Sequence, residues 1–569
     1  MHRVVATRVF TQTLCLNCRK TITEKAVGFI VPLYRHPRVP FPTSQRWRAC
    51  HTPSQSPFTL GRHHDTIYAL SSAGGKAGIA VIRISGPSCT RIYHELCPRK
   101  KAPRPRYATI RTLFSPGTQG SEVIDSAALV LYFPGPQTVT GEDVLELHVH
   151  GGSATVKAVL SAISKCATDG HIRYAEPGEF TKRAFMNDRL DLAQVEALSE
   201  MLAAETEQQR RAAVRGSSGS LGRTYEDWRH KLVQARAEME ALIDFQEDQH
   251  FDESPASLVG SISQQVRDIL RSIKVHEMAS QRTELLRNGI QVALLGPPNA
   301  GKSSFMNQVV GREASIVSGE SGTTRDIIEA NLDIRGYLCT FADTAGFRSA
   351  THPETGIGAV EEEGIRRART RATQSDVIIV LASVEERTAG GYEIRYDYET
   401  LKLAAACQQH LVLINKVDTV PQAELIPLVH KFQEEVLKRI PGLGNVAPTL
   451  ISCKEALNQG SDQQDPGGVR LVTDQLILAF QNMTSLPASL QDLHGVTERQ
   501  RQLLVQCRNS LEEYIEVTES DEENEEAARD MDLTMAAEHL RYAASCLGRT
   551  TGRGEAGDVE EILGVIFEK

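Results

Sequence analysis

Residues 296–303 read GPPNAGKS, two glycines, two prolines and a lysine set directly after the apolar run IQVALL. The spacing is G-x-x-x-x-G-K-[ST], with Gly296, Gly301, Lys302 and Ser303 at the fixed positions. Those residue types suit one task, gripping a polyphosphate. Glycine lets backbone N–H groups close on phosphate oxygens, and a following helix adds partial positive charge at its N-terminus. Lys302 can then reach the β- and γ-phosphates, and the Ser303 hydroxyl can bind Mg²⁺. The apolar run before the motif suits a strand, and SFMNQVVG (304–311) after it suits a helix. Asn299, Ala300 and Ser304 lie in the same nucleotide-binding stretch.

Three short matches follow in order. DTAG (343–346) closes a strand-like run, so Asp343 can reach Mg²⁺ through water and the Gly346 N–H can meet the γ-phosphate. NKVD (415–418) supplies Asn415, Lys416 and Asp418, whose carboxylate can accept both N1–H and N2–H₂ of guanine, a donor pair that adenine lacks. SCK (452–454) supplies Ser452, Cys453 and Lys454, a loop whose backbone can contact guanine O6. Thr323 or Thr324 in SGTTRD can give the second hydroxyl to Mg²⁺. Many small GTPases orient the attacking water with a glutamine after the DxxG glycine. Phe347 stands there instead, so another group must hold the water.

These loops need a scaffold. GIQVALL, YLCTFAD, DVIIVLA, HLVLIN and PTLIS alternate with helical segments between residues 289 and 482, which predicts a largely parallel sheet covered on both faces. Before it, GIAVIRIS (78–85), SAALVLYF (126–133) and DVLELHVH (143–150) are strand-like and ATVKAVLSAISKCA (154–167) is helical, a mixed α/β unit. DLAQVEALSEMLAAETEQQRRAAVRG and YEDWRHKLVQARAEMEALIDF carry apolar residues every three or four positions and nearly no internal Gly or Pro, so they read as long amphipathic helices. Helix returns after residue 485, around the acid run ESDEENEE (519–526), a solvated insertion. The expected architecture is multidomain, α/β and all-α: residues 65–187 an N-terminal α/β unit, 188–285 and 485–569 two parts of a helical domain, and 286–484 a P-loop domain inserted between them.

Charge and composition set further bounds. The 569 residues are 41% hydrophobic and 24% charged, values of an ordinary globular chain. No apolar stretch reaches the roughly 18 residues that span a bilayer, so no membrane insertion is expected. Residues 1–64 hold ten Lys/Arg and one acid, Glu24, whereas the rest is net −18. An Arg-rich, acid-poor leader before an acidic body predicts a transit peptide over 1–64. An acidic body cannot hold a nucleic acid by net charge, and IRRARTR (365–371) is one local basic patch. Cys15 and Cys18 have no second pair at zinc spacing, and the other cysteines are expected to be reduced core thiols.

GPPNAGKSSFMN, SGTTRD, DTAG and NKVD, together with AEPGEFTKRAFMNDRLDLAQVEAL (175–198), resemble the MnmE (TrmE) family of tRNA-modification GTPases over residues 65–569, and with the basic leader the mitochondrial member. The resemblance implies a homodimer through N-terminal folate-binding domains and a Ras-like G domain inserted in the helical domain. It implies GTP hydrolysis activated by potassium and G-domain pairing. It also implies joint action with an FAD-containing MnmG-type partner on C5 of the wobble uridine in mitochondrial tRNA, of 5-taurinomethyluridine type. The one-carbon unit would come from 5,10-methylene- or 5-formyl-tetrahydrofolate, and the location would be the matrix. By the same resemblance Asn299 ligates potassium, with the SGESG loop including Ser318 and Glu320. Glu361 positions the water, with Glu354 as rival, and Arg83, Glu146 and Arg189 hold the folate. The family usually ends in Cys-[Ile/Val]-Gly-Lys. This sequence ends in ILGVIFEK, with Cys546 the nearest cysteine and Lys569 last. A ribosome-assembly or translation GTPase and a scaffold with structural GTP are the competing classes. The folate-like block and the missing KH-type GxxG argue against the first, and potassium-dependent hydrolysis discriminates the second.

Overall fold

The computed structural model describes residues 65–118, 120–166, 171–244, 255–312, 314–316, 330–342, 370, 372–387, 390–457, 465, 467–519 and 532–552. The basic leader with Cys15 and Cys18, most of the acid run and the last residues, ILGVIFEK, lie outside them.

The first strands are β1 (Thr66–Leu70) and β2 (Ile79–Ser85), followed by α1 (Cys89–Leu96), β3 (Thr109–Phe114), β4 (Val123–Phe133), β5 (Val144–His150), α2 (Ser153–Ser164) and β6 (Ile172–Tyr174). They make a sheet of order β3-β4-β5-β2-β1-β6, antiparallel except for the β1–β6 pair. Period-2 alternation sends Ile82 and Ile84, Leu145 and Leu147, and Val130 into one core, where Ile92 and Leu96 of α1 and Val159 and Ile163 of α2 cover them. The intervening residues, Arg83 and Glu146 among them, face the other side. β4 begins three residues earlier than its apolar run suggests, because Val123–Asp125 continue the ladder with β3.

The polar block after β6 is structural. In α3 (Glu179–Met186) the Arg183 side chain is 1% exposed, a costly place for a charge unless it is paired. It donates to Asp65 Oδ1 at 3.0 Å, Glu142 Oε2 at 3.1 Å and Glu179 Oε1 at 3.1 Å. Burial works to raise the Asp65 and Glu179 carboxyls, but the Arg183 and Arg173 guanidiniums outweigh it and hold both below the ordinary range. This ionic knot fastens α3 to the start of β1 and to the loop before β5.

Helices follow as α4 (Leu192–Ala203), α5 (Glu207–Gly216), α6 (Ser220–Asp244) and α7 (Pro255–Asn288). The sequence periodicity predicts one unbroken helix over 191–216, and the chain breaks it at Ala204–Thr206. Thr206 and Gln209 form a reciprocal capping box, as Asp191 and Gln194 do at the start of α4. A residue that satisfies orphan N–H groups can start a new helix where the apolar pattern alone would continue the old one.

The second sheet begins with β7 (Ile290–Leu295), then α8 (Lys302–Arg312), β8 (Ala314–Ile316), β9 (Ala330–Ile334), β10 (Tyr337–Ala342), β11 (Val377–Glu386), β12 (Tyr392–Arg395), α9 (Tyr398–Ala406), β13 (Gln409–Asn415), α10 (Gln422–Glu435), β14 (Thr449–Leu450) and α11 (Val469–Thr484). Its order is β14-β13-β11-β7-β10-β9-β8, with β12 beside β11. The five strands from β14 to β10 are parallel, whereas β8, β9 and β12 are antiparallel additions that the sequence reading did not place. Alternate residues of β11 serve two cores. Ile379 and Leu381 pack with α8 and α11, and Ile378, Val380 and Ala382 pack with α9 and α10.

The chain then returns through α12 (Glu498–Glu519) and α13 (Leu533–Thr551), which pack with α6 and α7 around Tyr225, Leu232, Met239, Ile262, Val266, Leu504, Leu511 and Leu540. The second sheet is therefore inserted between two pairs of bundle helices. Among the described residues the cysteines are free thiols, and seven of the eight are buried: Cys89, Cys97 and Cys166 in the first core, Cys339 and Cys453 around the second sheet, Cys507 and Cys546 in the bundle. No helix among the described residues is long and apolar enough to cross a membrane.

The bundle also buries imidazoles. His276 lies against the Trp228 ring, with ring centroids 4.9 Å apart, and Nδ1 is 3.3 Å from the Tyr225 hydroxyl. Burial lowers His276 from 6.5 to about 4, and burial with Arg215 and Arg282 does the same for His494. A base depressed in the folded state binds fewer protons than in the unfolded chain, so these groups add stability above pH 6.5 and lose it as pH falls toward 4. The urea midpoint is expected to fall across that window, by up to about 3 kcal/mol of stability for each imidazole. His276→Gln should flatten part of the slope when the two proteins are titrated side by side.

Candidate nucleotide site

The loop from β7 to α8 can be built only with glycine at its two ends. Gly296 has φ +144°, and a Cβ there would lie 2.2 Å from the Leu381 carbonyl oxygen. Gly301 has φ +99°, and its Cβ would lie 2.1 Å from Asn415 Nδ2. Both conformations are strained for a residue with a side chain. Asn299, exposed at the crest, is left-handed at φ +63°, which asparagine tolerates. Ala300 is buried. Lys302 Nζ donates to the carbonyls of Gly296 at 2.8 Å and Pro297 at 2.9 Å, so its ammonium sits inside the loop. Phe305, Met306 and Val309 anchor α8 in the core, fixing its first turn with Ser303 half-buried and Ser304 exposed.

Asn415, buried at the end of β13, ties three loops together. Its Nδ2 donates to the Ala300 carbonyl at 2.9 Å, and its Oδ1 accepts from the Cys453 N–H at 3.2 Å. Lys416 is left-handed at φ +66°. Asp418 lies in the 3₁₀ turn Val417–Thr419, and its Oδ1 accepts from the Ser452 hydroxyl at 2.7 Å. Ser452 Oγ in turn accepts from the Glu455 N–H at 3.0 Å. Burial pushes the Cys453 thiol up to about 11, so it stays neutral and contributes its backbone. Lys454 is exposed beside it. The P-loop, NKVD and SCK stretches thus meet through Asn415 and Asp418. Ser318, Glu320, Thr323, Thr324, Asp343, Gly346, Phe347, Glu354 and Glu361 lie outside the described residues.

One residue at this site was not singled out from sequence. Glu385, near the end of β11, has Oε1 at 3.4 Å from Lys416 Nζ. The available signal was the parallel pairing of β11 with β13, which sets Ser383 beside Asn415.

In the first sheet Arg83 and Glu146 are direct cross-strand partners, with Arg83 Nε to Glu146 Oε1 at 3.0 Å. The Arg83 guanidinium lies 6.0 Å from the Phe180 ring centroid, and His148 Nε2 is 3.6 Å from Glu146 Oε2. Arg189 is not paired with either residue. It is exposed, and its Nε donates to the Thr138 carbonyl at 2.9 Å, while Asn187 Nδ2 donates to the Thr140 carbonyl at 2.7 Å. The NDR turn therefore braces the loop before β5.

A glycine-ended loop between a buried strand and a helix, with NKVD and SCK at the ends of neighbouring parallel strands, defines a Ras-like P-loop GTP-binding domain. Here it is inserted into a helical bundle that follows an α/β N-terminal unit. The family model described as the GTP-binding protein TrmE N-terminus matches residues 66–189, and the MnmE helical domain model matches residues 192–569. The tRNA modification GTPase MnmE of Parvibaculum lavamentivorans is 38% identical over 510 residues, covering 88% of this chain and 98% of that protein. The mitochondrial 5-taurinomethyluridine-[tRNA] synthase subunit GTPB3 is 37% identical in Danio rerio and 36% in Homo sapiens, each alignment covering 88% of this chain and 92% of the relative. The chain belongs to the MnmE family of tRNA modification GTPases.

Gly301→Ala places a methyl group onto the Asn415 amide in a strained backbone conformation. It is expected to weaken binding of a fluorescent GDP analogue by about tenfold or more, with the circular dichroism spectrum unchanged.

Proposed function

We propose that this chain is a potassium-activated GTPase that modifies C5 of the wobble uridine of mitochondrial tRNAs, by a 5-taurinomethyluridine type of reaction, together with an FAD-containing MnmG-type partner. The observation that carries the GTP reading is the Asn415 junction, in which one side chain fixes the phosphate loop beside the turn bearing Asp418. Asp418 accepts the guanine donors. Ser303 and Thr324 hold Mg²⁺, and Lys302 leaves the loop carbonyls for the phosphate oxygens. Asn299, free at the loop crest, fits a potassium ligand, with Ser318 and Glu320 completing the set. Bound potassium supplies positive charge where the β–γ bond breaks. Glu361 orients the water that Phe347 cannot.

The N-terminal unit takes 5,10-methylene- or 5-formyl-tetrahydrofolate. The Glu146 carboxylate accepts from the pterin, and Arg83 and Arg189 meet the carboxylates of the tail. Arg83 is already paired with Glu146, so folate would enter a charge-balanced pair rather than a bare cation. The unit forms the homodimer contact, and the working place is the mitochondrial matrix. The relatives named as mitochondrial synthase subunits support that location, and the bacterial relatives named tRNA modification GTPases support the activity.

Hydrolysis measured in potassium and in sodium chloride at equal ionic strength is expected to differ by at least about tenfold in favour of potassium. Equal turnover would remove Asn299 from the cation site. Glu361→Ala should abolish hydrolysis and keep GTP binding. Mass spectrometry of mitochondrial tRNA from cells lacking this protein should show wobble uridines without the modification, restored by the wild-type chain.

A further inference from the structure

Glu385 belongs to a part of the second sheet outside the GTP-binding loops. β11 runs past its parallel neighbours and turns back as β12, a hairpin in which Ser383 pairs with Arg395 and Glu386 with Tyr392. Three donors converge on the Glu385 carboxylate: Ser383 Oγ at 3.3 Å and Lys416 Nζ at 3.4 Å on Oε1, and Arg395 NH1 at 3.2 Å on Oε2. Burial works to raise this carboxyl, and Arg395 and Lys416 outweigh it, leaving it below its ordinary range. Each carboxylate oxygen is engaged.

Lys416 is equally constrained at its other end. Its backbone is left-handed, and its carbonyl accepts from Thr419 N–H at 3.1 Å and Thr419 Oγ1 at 2.7 Å. A lysine fixed at the backbone and at the ammonium presents its four methylenes as a short apolar rod. Such stems cover flat apolar surfaces while the charged head stays paired or wet. Lys416 follows Asn415 and stands two residues before Asp418, so its backbone belongs to the turn that joins the phosphate loop's anchor to the base reader.

Resting on the guanine-site reading above, we propose that Glu385 is a positioning residue for the bound base. It holds the Lys416 ammonium so that the lysine stem forms one wall against the guanine ring, and Arg395 on the β12 hairpin sets how firmly it does so. An isolated surface ion pair contributes little. Here the contribution comes from lost rotamer freedom, since lysine carries about 2 kcal/mol of side-chain entropy that a free stem would lose on stacking. The hairpin therefore adjusts nucleotide residence without touching the nucleotide.

The test uses the full-length chain with a fluorescent GDP analogue, GTP, ATP and inorganic triphosphate. Glu385→Gln is expected to speed release of the GDP analogue and raise the KM for GTP by about two- to fivefold, the change falling on KM rather than kcat. Inorganic triphosphate, which has no base, should compete equally well against both proteins. Arg395→Ala should shift release in the same direction by less, and Glu385→Asp should recover most of the wild-type rate. Unchanged release from Glu385→Gln, in a wild-type protein that prefers GTP over ATP, would overturn the role of Glu385 alone. Equal weakening of inorganic triphosphate would overturn it as well, by showing general damage to the loops. A wild-type protein with no preference for GTP would instead remove the guanine site on which the proposal stands.

Discussion

A buried carboxylate on α4 decides where the chain comes back to itself. Glu196 accepts from Thr497 Oγ1 at 2.9 Å and Gln500 Nε2 at 2.7 Å, and it pairs with the Arg499 guanidinium. The chain leaves the bundle at the end of α7 and forms the whole nucleotide domain before it reaches these residues. Leaving such a carboxylate unpaired in the interior costs several kcal/mol, so the return point is specific. Other contacts reinforce it. Arg287 pairs with Glu200 at 2.6 Å and donates to the Val496 carbonyl at 3.2 Å. Arg499 also donates to the carbonyls of Arg549 and Thr550, which satisfies the last turn of α13. The backbones of Gly216 and Gly495 meet so closely that a Cβ on Gly495 would lie 2.3 Å from Gly216 Cα.

The root of the inserted domain and its nucleotide loops use different chemistry for joining. At the root, charged groups are paired around the buried Glu196, with Arg499, Arg287 and Glu200 only partly exposed, which favours one register. At the loops the joint is a neutral amide, Asn415, bonded to a carbonyl on one side and an N–H on the other. A charged residue in that place would compete with phosphate or with Lys302 for partners. The neutral amide fixes the geometry and leaves the local field to the lysine, the helix N-terminus and the incoming ligand.

The features legible in the sequence were those with few solutions. Gly296 and Gly301 stand where a side chain would collide with backbone or amide, and their spacing with Lys302 could be read directly. The parallel core was legible because β11 is buried on both faces and so reads as a continuous apolar run. The break between α4 and α5 was not, since a capping box competes with an apolar period that continues across it. The β12 hairpin was missed because EERTAGGYEIRYD has charges and glycines where a buried strand would have apolar residues, and it pairs at the exposed end of β11. Arg183 carried no sequence signal of burial, and its place follows from Glu179 one turn earlier on α3 together with two carboxylates, Asp65 and Glu142, brought in from distant segments. Arg189, grouped by resemblance with Arg83 and Glu146, donates through its Nε to the Thr138 carbonyl, a contact with no sequence signal.

The distribution of thiols gives the molecule a built-in clock of disassembly. Cys89 is sealed under the first sheet, Cys339 lies in the second, and Cys507 is in the bundle, each with no measurable surface. Burial raises all three above the ordinary thiol range, so none offers a thiolate while its own core stays closed. Alkylation at each of them can therefore proceed only as fast as the surrounding layer opens, and the three rates would rank the layers by their opening free energies.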